Sequence, residues 1–178
     1  MIYRPWSFNT DFLIIILKLS LLRCDDKMRL LIMPPSYRRK YTPNLLPAIE
    51  RYDGILFRVL RKFLEKHKPK DLDIIILTED LELIDANTPL PPKTPIKGKT
   101  KWLPEKIPNE KIEKNLKFLK NLAEKKQYSE IFVALSLKMR KALRGVETIF
   151  PNSKVIYIEG KGLGDYARHL KQWLGTSG

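Results

Sequence analysis

The sequence predicts an α/β protein, a three-layer α/β/α domain around a central, mostly parallel sheet of four or five strands. Short apolar runs alternate with helical segments, and this alternation is typical of parallel sheets with right-handed crossovers. The first run spans residues 29–33 and stops at Pro34 and Pro35, and the second, 72–77, contains three consecutive isoleucines. Runs that are apolar throughout indicate strands covered by helices on both faces.

The remaining elements follow from periodicity and from turn signals. After Asp53, apolar residues recur at helical spacing until Pro69, and Asp53 is expected to be the N-cap of that helix. Asn109 is expected to cap a long amphipathic helix that runs to about Gln127. The further elements predicted are a strand over 129–135, a short basic helix over 137–143, a strand over 154–158 and a last helix over 165–174.

The chain divides into an N-terminal extension and one domain. Residues 12–22 are strongly apolar, but they are too few for a membrane-spanning helix, which needs about 20 residues. We expect a strand or a short helix there, which could also mediate a homodimer. Residues 1–27 are an extension or an added strand or helix, with Met28 as an alternative start. Residues 28–178 are expected to form a single α/β domain.

A long loop rich in proline and lysine is predicted over residues 85–108, entered through a short turn or helix at 79–84. Six prolines and five lysines surround Trp102 in this loop. Cations around an aromatic side chain are a composition that binds single-stranded nucleic acids, because bases stack on the ring and the cations neutralise phosphates. A solvated linker with Trp102 packed into the core is the alternative.

Positive charge is the most unusual property of the composition. The chain holds 34 Lys and Arg against 20 Asp and Glu, a formal net charge of +14. Such a surplus favours polyanionic partners, because cations near phosphates release condensed counterions. A Lys-rich surface with few Gln and Cys is also typical of thermophilic proteins, which explains abundant charge but not its positive surplus.

Cysteine and histidine are too scarce for most metal sites. One cysteine excludes an intrachain disulfide and a cysteine-based zinc site, and two histidines make a histidine-rich site unlikely to form. We therefore expect no metal, and a reducing cytoplasm as the compartment. We also expect no cofactor, and no membrane association because the apolar segment over residues 12–22 is too short to span a bilayer.

Candidate binding residues follow the predicted strands, because ligands of α/β proteins bind at the carboxyl edge of the sheet. Tyr52 is expected either to stack on a base or to close the core, and Arg58 either to pair with Asp53 or to reach into the crevice. The other nucleic-acid or phosphate contacts predicted at this edge are Ser36, Tyr37, Arg38, Arg39, Lys40, Lys138, Arg140, Gly160, Lys161, Gly162 and Gly164.

Two motifs at this edge carry specific hypotheses. Gly160, Gly162 and Gly164, between a strand and a helix, resemble a phosphate cradle in which backbone N–H groups approach an anion, although a tight turn without ligand is the alternative. Glu79 and Asp80 are candidates for general acid and base catalysis, with Arg58 as a third catalytic residue. Adjacent acids after a strand are also typical of the first turn of a helix.

The segment from Leu46 to Arg58, with Tyr52-Asp53-Gly54-x-x-Phe57-Arg58 at its end, resembles small α/β proteins of archaea and bacteria that are distantly similar to the YaaA family. The resemblance extends over about residues 28–95, and it implies a uracil-glycosylase-like fold and a nucleic-acid partner. Related domains are also similar to a domain of archaeosine-forming enzymes. The chain has Glu82 where the family's second motif has glycine.

Three functions remain open on this basis. The first is binding of nucleic acid or a nucleotide at the carboxyl edge of the sheet. The second is an enzyme that acts on a nucleobase, nucleoside or phosphate group. The third is a non-catalytic family member that acts through protein partners, which the glycine-to-Glu82 difference favours.

Overall fold

A computed structural model describes residues 28–92 and 106–176, so the expectations for residues 1–27 and for the loop around Trp102 lie outside it. The strands are β1 (Met28–Met33), β2 (Leu46–Pro47), β3 (Leu72–Leu77), β4 (Leu83–Asp85), β5 (Pro89–Leu90), β6 (Tyr128–Val133) and β7 (Lys154–Tyr157). The helices are α1 (Ala48–Arg51), α2 (Ile55–His67), α3 (Asn109–Lys125), α4 (Leu137–Arg140), a 3₁₀ turn (Lys141–Leu143), α5 (Val146–Ile149) and α6 (Leu163–Gly175).

Five strands form one mixed sheet in the order β4-β3-β1-β6-β7. Strand β1 lies between β3 and β6 and pairs with both in parallel, so that Leu31 is opposite Ile74 on one side and Phe132 on the other. Strand β7 continues the parallel pairing, and only the edge strand β4 is antiparallel. The predicted fold class is therefore confirmed. Strands β2 and β5 form a separate antiparallel pair.

Helices cover both faces of the sheet, and each face has its own apolar core. Leu30 and Ile32 point to the face covered by α3, α4 and α5. Leu31 and Met33 point to the opposite face, where α2 and α6 pack against each other and against the sheet. The alternation along β1 follows from the two-residue repeat of a strand, and burial on both faces explains why the run is apolar throughout.

The two predicted helix caps are wrong. Helix α2 has Gly54 as its N-cap, because the Asp53 carboxylate accepts hydrogen bonds from Arg58 and Arg61 and is not available to the helix N–H groups. Helix α3 has Pro108 as its N-cap, and Asn109 is its first helical residue. In both helices no side chain caps the N-terminus.

The chain around residues 79–92 is more regular than the sequence predicts. Residues 79–81 form a turn with Leu81 in the left-handed region (φ 61°), and the chain returns as β4 beside β3. Strand β5 then pairs with β2, so the first part of the predicted loop is ordered by main-chain hydrogen bonds. The predicted helix over 137–143 is split into α4 and the 3₁₀ turn, and α5 was not predicted.

No helix within the described ranges has the length and apolar character needed to cross a membrane.

Candidate ligand cleft

The candidate site lies where the two central strands end. Strands β1 and β6 are adjacent and parallel, but the chain leaves β1 towards α2 on one face and leaves β6 towards α4 on the other. Connections that diverge in this way open a crevice outside the carboxyl ends of the strands, which is the usual ligand site of open α/β sheets.

A cleft of about 640 Å³ occupies this crevice. Its volume lies in the range of about 300–1,000 Å³ that is typical of small-molecule sites. Its surface is mainly apolar. Among the residues that the structure describes, the charged side chains of the lining are two arginines, and its hydroxyl groups come from two serines and two tyrosines. The lining residues are Pro34, Pro35, Ser36, Tyr37, Arg38, Gly54, Ile55, Leu56, Phe57, Arg58, Ala134, Ser136, Met139, Leu163 and Tyr166.

Residues 36–38 form one wall of the cleft and are held by contacts with the start of α2. The Ser36 side chain lies so close to Gly54 that a Cβ atom at position 54 would collide with it. Ser36 Oγ accepts a hydrogen bond from the Arg38 N–H at 3.2 Å. The Arg38 carbonyl in turn accepts one from the Asp53 N–H at 2.7 Å. The glycine therefore allows a close approach that fixes this wall.

Helices α2 and α6 both begin at the cleft. Each has thirteen residues and a glycine N-cap, Gly54 or Gly162, without a side-chain cap. The first residues of α2, Ile55 and Leu56, and the first residue of α6, Leu163, line the cleft. The unbonded N–H groups of a helix N-terminus carry a partial positive charge, so the start of α2, which has no acidic residue in its first turn, makes the cleft more favourable for an anion. At the start of α6 this effect is offset by the Asp165 carboxylate in the first turn.

The two cleft arginines differ in their partners. Arg38 is exposed and forms no ion pair within the described ranges. Arg58 is about half exposed and pairs with the Asp53 carboxylate, with Nη2 2.7 Å from Oδ2. Hydrogen bonds from Arg58 and Arg61 outweigh burial and lower the pKa of Asp53. Arg38 therefore contributes the cleft's uncompensated charge, whereas the charge of Arg58 is balanced by its partner.

A buried cluster behind the wall joins Arg39, Tyr52 and Glu79. The Tyr52 hydroxyl donates a hydrogen bond to Glu79 Oε2 at 2.8 Å, and Arg39 pairs with Oε1 of the same carboxylate. The Arg39 guanidinium also lies over the Tyr52 ring, 4.9 Å from its centroid. Burial disfavours the charged form of Glu79, but the hydrogen bonds from Arg39 and Tyr52 prevail and lower its pKa. Burial and Glu79 raise the pKa of Tyr52.

The three residues predicted to be catalytic are not brought together. Glu79 belongs to the buried cluster with Arg39, Asp80 is exposed, and neither lines the cleft. Arg58 does line the cleft, but its acidic partner is Asp53. Glu79 nevertheless has an electrostatic effect on the cleft wall. The pKa of Tyr37 is raised by partial burial of its side chain and by the negative charge of Glu79. The prediction that Glu79, Asp80 and Arg58 form one catalytic pocket is therefore corrected.

Several predicted binding residues have structural roles instead. Tyr52 is fully buried, and its ring packs in a tilted arrangement with its centroid 5.2 Å from that of Phe57, so it closes the core and cannot stack on a base. Arg39 is engaged with Glu79, and Lys40 pairs with Glu50 at 2.8 Å. Their burial or pairing was not predictable, because the partners lie far away in sequence or in a neighbouring turn.

Two cations after β6 also separate into different roles. Arg140 donates hydrogen bonds to the carbonyls of Leu135 (2.9 Å) and Ile158 (2.6 Å), and it lies over the Tyr157 ring. It therefore holds together the segments that follow β6 and β7. Lys138 is exposed on α4, the helix that has the cleft residue Ser136 as its N-cap, and it does not line the cleft.

The glycine-rich turn before α6 has an internal anion. The Asp165 carboxylate accepts a hydrogen bond from the Lys161 N–H at 3.0 Å and pairs with Arg168. Gly160 has φ 143°, and a Cβ atom there would collide with Asp165, so this glycine is required by the turn. Gly162 and Gly164 face open space. The structure thus fits a tight turn closed by the Asp165 carboxylate better than the predicted phosphate cradle.

Sequence reasoning missed the apolar part of the cleft. Ile55, Leu56, Met139 and Tyr166 were assigned to helices, and Leu163 to the turn before the last helix, without any binding role. The position of two of these residues in the sequence could have revealed them. Ile55 and Leu163 are large apolar residues directly after a glycine N-cap, at a helix terminus where side chains are expected to be exposed.

Arg51 is a second residue that the sequence did not single out. It is fully buried, and its guanidinium donates hydrogen bonds to the carbonyls of Lys40, Thr42, Asn44 and Leu90. These bonds tie residues 40–44 to β5. No acidic side chain takes part, so the charge of Arg51 is balanced by carbonyl dipoles alone within the described part of the chain.

No group of three or more His, Cys, Asp or Glu side chains in residues 28–92 and 106–176 is arranged to hold a metal ion.

Comparison with known proteins gives a structural likeness but no sequence match. No family model and no curated protein matches the sequence. The crystal structure of AF0587, a protein of unknown function, aligns with a TM-score of 0.48 and 18% sequence identity. The alignment covers 84% of this chain and 45% of that chain, so this chain spans a little under half the length of that protein.

Proposed function

We propose that the protein binds nucleic acid or a nucleotide in the cleft at the ends of β1 and β6. The observation that carries this proposal is the charge of the lining, because among the described lining residues both ionised side chains are arginines and none is a carboxylate. Arginine is well suited to phosphate, since its planar guanidinium can donate two parallel hydrogen bonds. The net charge of +14 adds a long-range attraction for polyanions.

A second hollow supports the choice of the cleft by contrast. It has a volume of about 310 Å³ and lies beside α2 and β3. Four carboxylates, from Glu50, Glu65, Asp73 and Asp85, line it together with one arginine, Arg61, so its lining has an excess of negative charge. A polyanion would be repelled there, so the acidic hollow is a poor candidate for the same partner.

Binding is tested by titration of fluorescein-labelled single- and double-stranded DNA and RNA oligonucleotides at two salt concentrations. We expect binding at low salt whose affinity falls steeply as salt increases, because phosphate contacts release counterions. The acidic variant Arg38→Glu should weaken this binding more than Arg144→Glu, which changes an exposed arginine outside the cleft. Absence of binding at low salt, or an affinity that does not depend on salt, would contradict the proposal.

An enzymatic role has less support in this geometry. General acid or base catalysis needs a titratable group within hydrogen-bond reach of the substrate. Within the described part of the chain, the cleft lining offers Ser36, Ser136, Tyr37 and Tyr166 but no Asp, Glu, His or Cys. The lining residues therefore favour binding over acid–base catalysis.

A further inference from the structure

The apolar surface of the cleft narrows the class of nucleic acid that fits it. Six large hydrophobic side chains are exposed among the described residues, and three of them, Tyr37, Ile55 and Leu163, line this cleft. Tyr37 and Leu163 each leave about two-thirds of their surface exposed. Apolar side chains concentrated in a concave site indicate a ligand with an apolar body.

A double helix does not supply such a body. Its bases are stacked and paired, so a protein surface that meets it contacts mainly phosphates and sugars. An unpaired base exposes two apolar faces, on which aromatic and aliphatic side chains can pack. A bound duplex would therefore leave the apolar side chains of the cleft without contacts, whereas an unstacked base would cover them.

The charges fit the same arrangement. Arg38 follows Tyr37 directly in the chain, and both side chains line the cleft. A base packed against the wall at Tyr37, Ile55 and Leu163 would keep its phosphate near Arg38, because the sugar separates the two groups by only a short distance. An aromatic side chain with an arginine beside it, here Tyr37 and Arg38, is the combination that single-strand-binding proteins use.

We infer that the cleft binds an unstacked base of a single-stranded nucleic acid, with the base between Tyr37, Ile55 and Leu163 and the phosphate at Arg38. This inference rests on the proposed nucleic-acid function and specifies the strand state that the site selects. Tyr37 and Arg38 are then ligand contacts, and Ile55 and Leu163 determine the preference for single strands.

The test compares a single-stranded oligonucleotide that carries one 2-aminopurine with the duplex of the same sequence. The full chain should bind the single strand at least about tenfold more tightly, which is the lower part of the range for one stacked base. Emission of 2-aminopurine should also change on binding, since the base leaves its neighbours. Binding of free adenosine monophosphate, measured by competition, should be weaker than binding of the strand.

Variants then assign the preference to the cleft. Ile55→Ser and Leu163→Ser replace exposed residues, so the fold should be retained, and we expect each to reduce the single-strand preference while duplex affinity stays unchanged. Leu45→Ser is the matched control, because Leu45 is equally exposed but lies outside the cleft. It should leave the preference unchanged.

The outcomes separate the two proposals. Salt-dependent binding with equal affinity for single strand and duplex would overturn the inference and leave the proposed function standing. Competition by adenosine monophosphate at equal concentration would also overturn it, because the site would then select mononucleotides. Absence of binding to every oligonucleotide would overturn the inference, and absence of binding to adenosine monophosphate as well would overturn both.

Discussion

The Tyr52 hydroxyl donates a hydrogen bond to Glu79 Oε2 at 2.8 Å, and this bond joins the segment before α2 to the end of β3. Arg39 binds the other oxygen of the same carboxylate, so three segments of the chain meet at one largely buried group. The main chain of Arg39 also bridges to Tyr52. The wall of the cleft, residues 36–38, is directly attached to this cluster and is positioned by it.

Substitution Tyr52→Phe is expected to destabilise the fold by about 1.5–3 kcal/mol, because it removes a buried hydrogen bond to a charged group. The phenyl ring keeps its packing against Phe57. Urea denaturation measures the change. Tyr157→Phe is the matched control, since the Tyr157 hydroxyl bonds Glu147 in an exposed position and its loss should cost less than about 1 kcal/mol. Equal losses in both variants would contradict the role of the cluster.

Stability should depend on the ionisation of Glu79. Its pKa is lower in the folded protein than its ordinary value of 4.5, so the ionised carboxylate stabilises the fold above about pH 4.5. This contribution is lost as the pH falls through the folded-state pKa. At pH 7, Glu79→Gln should cost about 3 kcal/mol, near the lower end for a broken buried ion pair, because one-fifth of the Glu79 side chain is exposed.

The difference in unfolding free energy between the wild type and Glu79→Gln should therefore shrink between pH 5 and pH 2. Glu82→Gln is the control, since Glu82 pairs with Lys111 and Lys114 nearer the surface. Its effect at pH 7 should be below about 1 kcal/mol. A Glu79→Gln difference that stays constant with pH would show that folding does not shift the pKa of Glu79 and would contradict this account.

Substitution Gly54→Ala should disturb the cleft wall. The new Cβ atom would collide with the Ser36 side chain, and overpacking of this kind costs about 1–3 kcal/mol. Gly162→Ala is the control, because Gly162 is also a helix N-cap but nothing lies within 4 Å of its Cβ position. The double variant Gly54→Ala/Ser36→Gly should recover part of the loss. If the two single variants are equally stable, the close approach does not constrain the wall.

The extent to which the sequence predicts this structure differs between its parts. Strands β1 and β3 are predicted closely, because burial on both faces requires an uninterrupted apolar run. Strands β4 and β5 were missed, because two or three residues are too few to show a period. Their positions depend on pairing with β3 and β2, which is a tertiary effect.

The sequence predicts only part of the candidate site, because some of its contacts form only in the folded chain. Tyr37 and Arg38 line the cleft as expected from their place after the first strand. The roles of Tyr52 and Glu79 were not predictable, because the two residues lie 27 positions apart and meet only in the folded chain. Tyrosine and glutamate are residue types that can act in catalysis, but the hydrogen bond between Tyr52 and Glu79 gives both residues a structural role.

The salt dependence of oligonucleotide binding by Arg38→Ala tests the central claim most directly. Arg38 has the uncompensated charge in the cleft lining, so its removal should weaken single-strand binding and reduce the slope of log affinity against log salt concentration by about 1. Arg144→Ala should leave both quantities nearly unchanged. An Arg38→Ala variant that binds with wild-type affinity and an unchanged slope would contradict the assignment of the cleft as the nucleic-acid site.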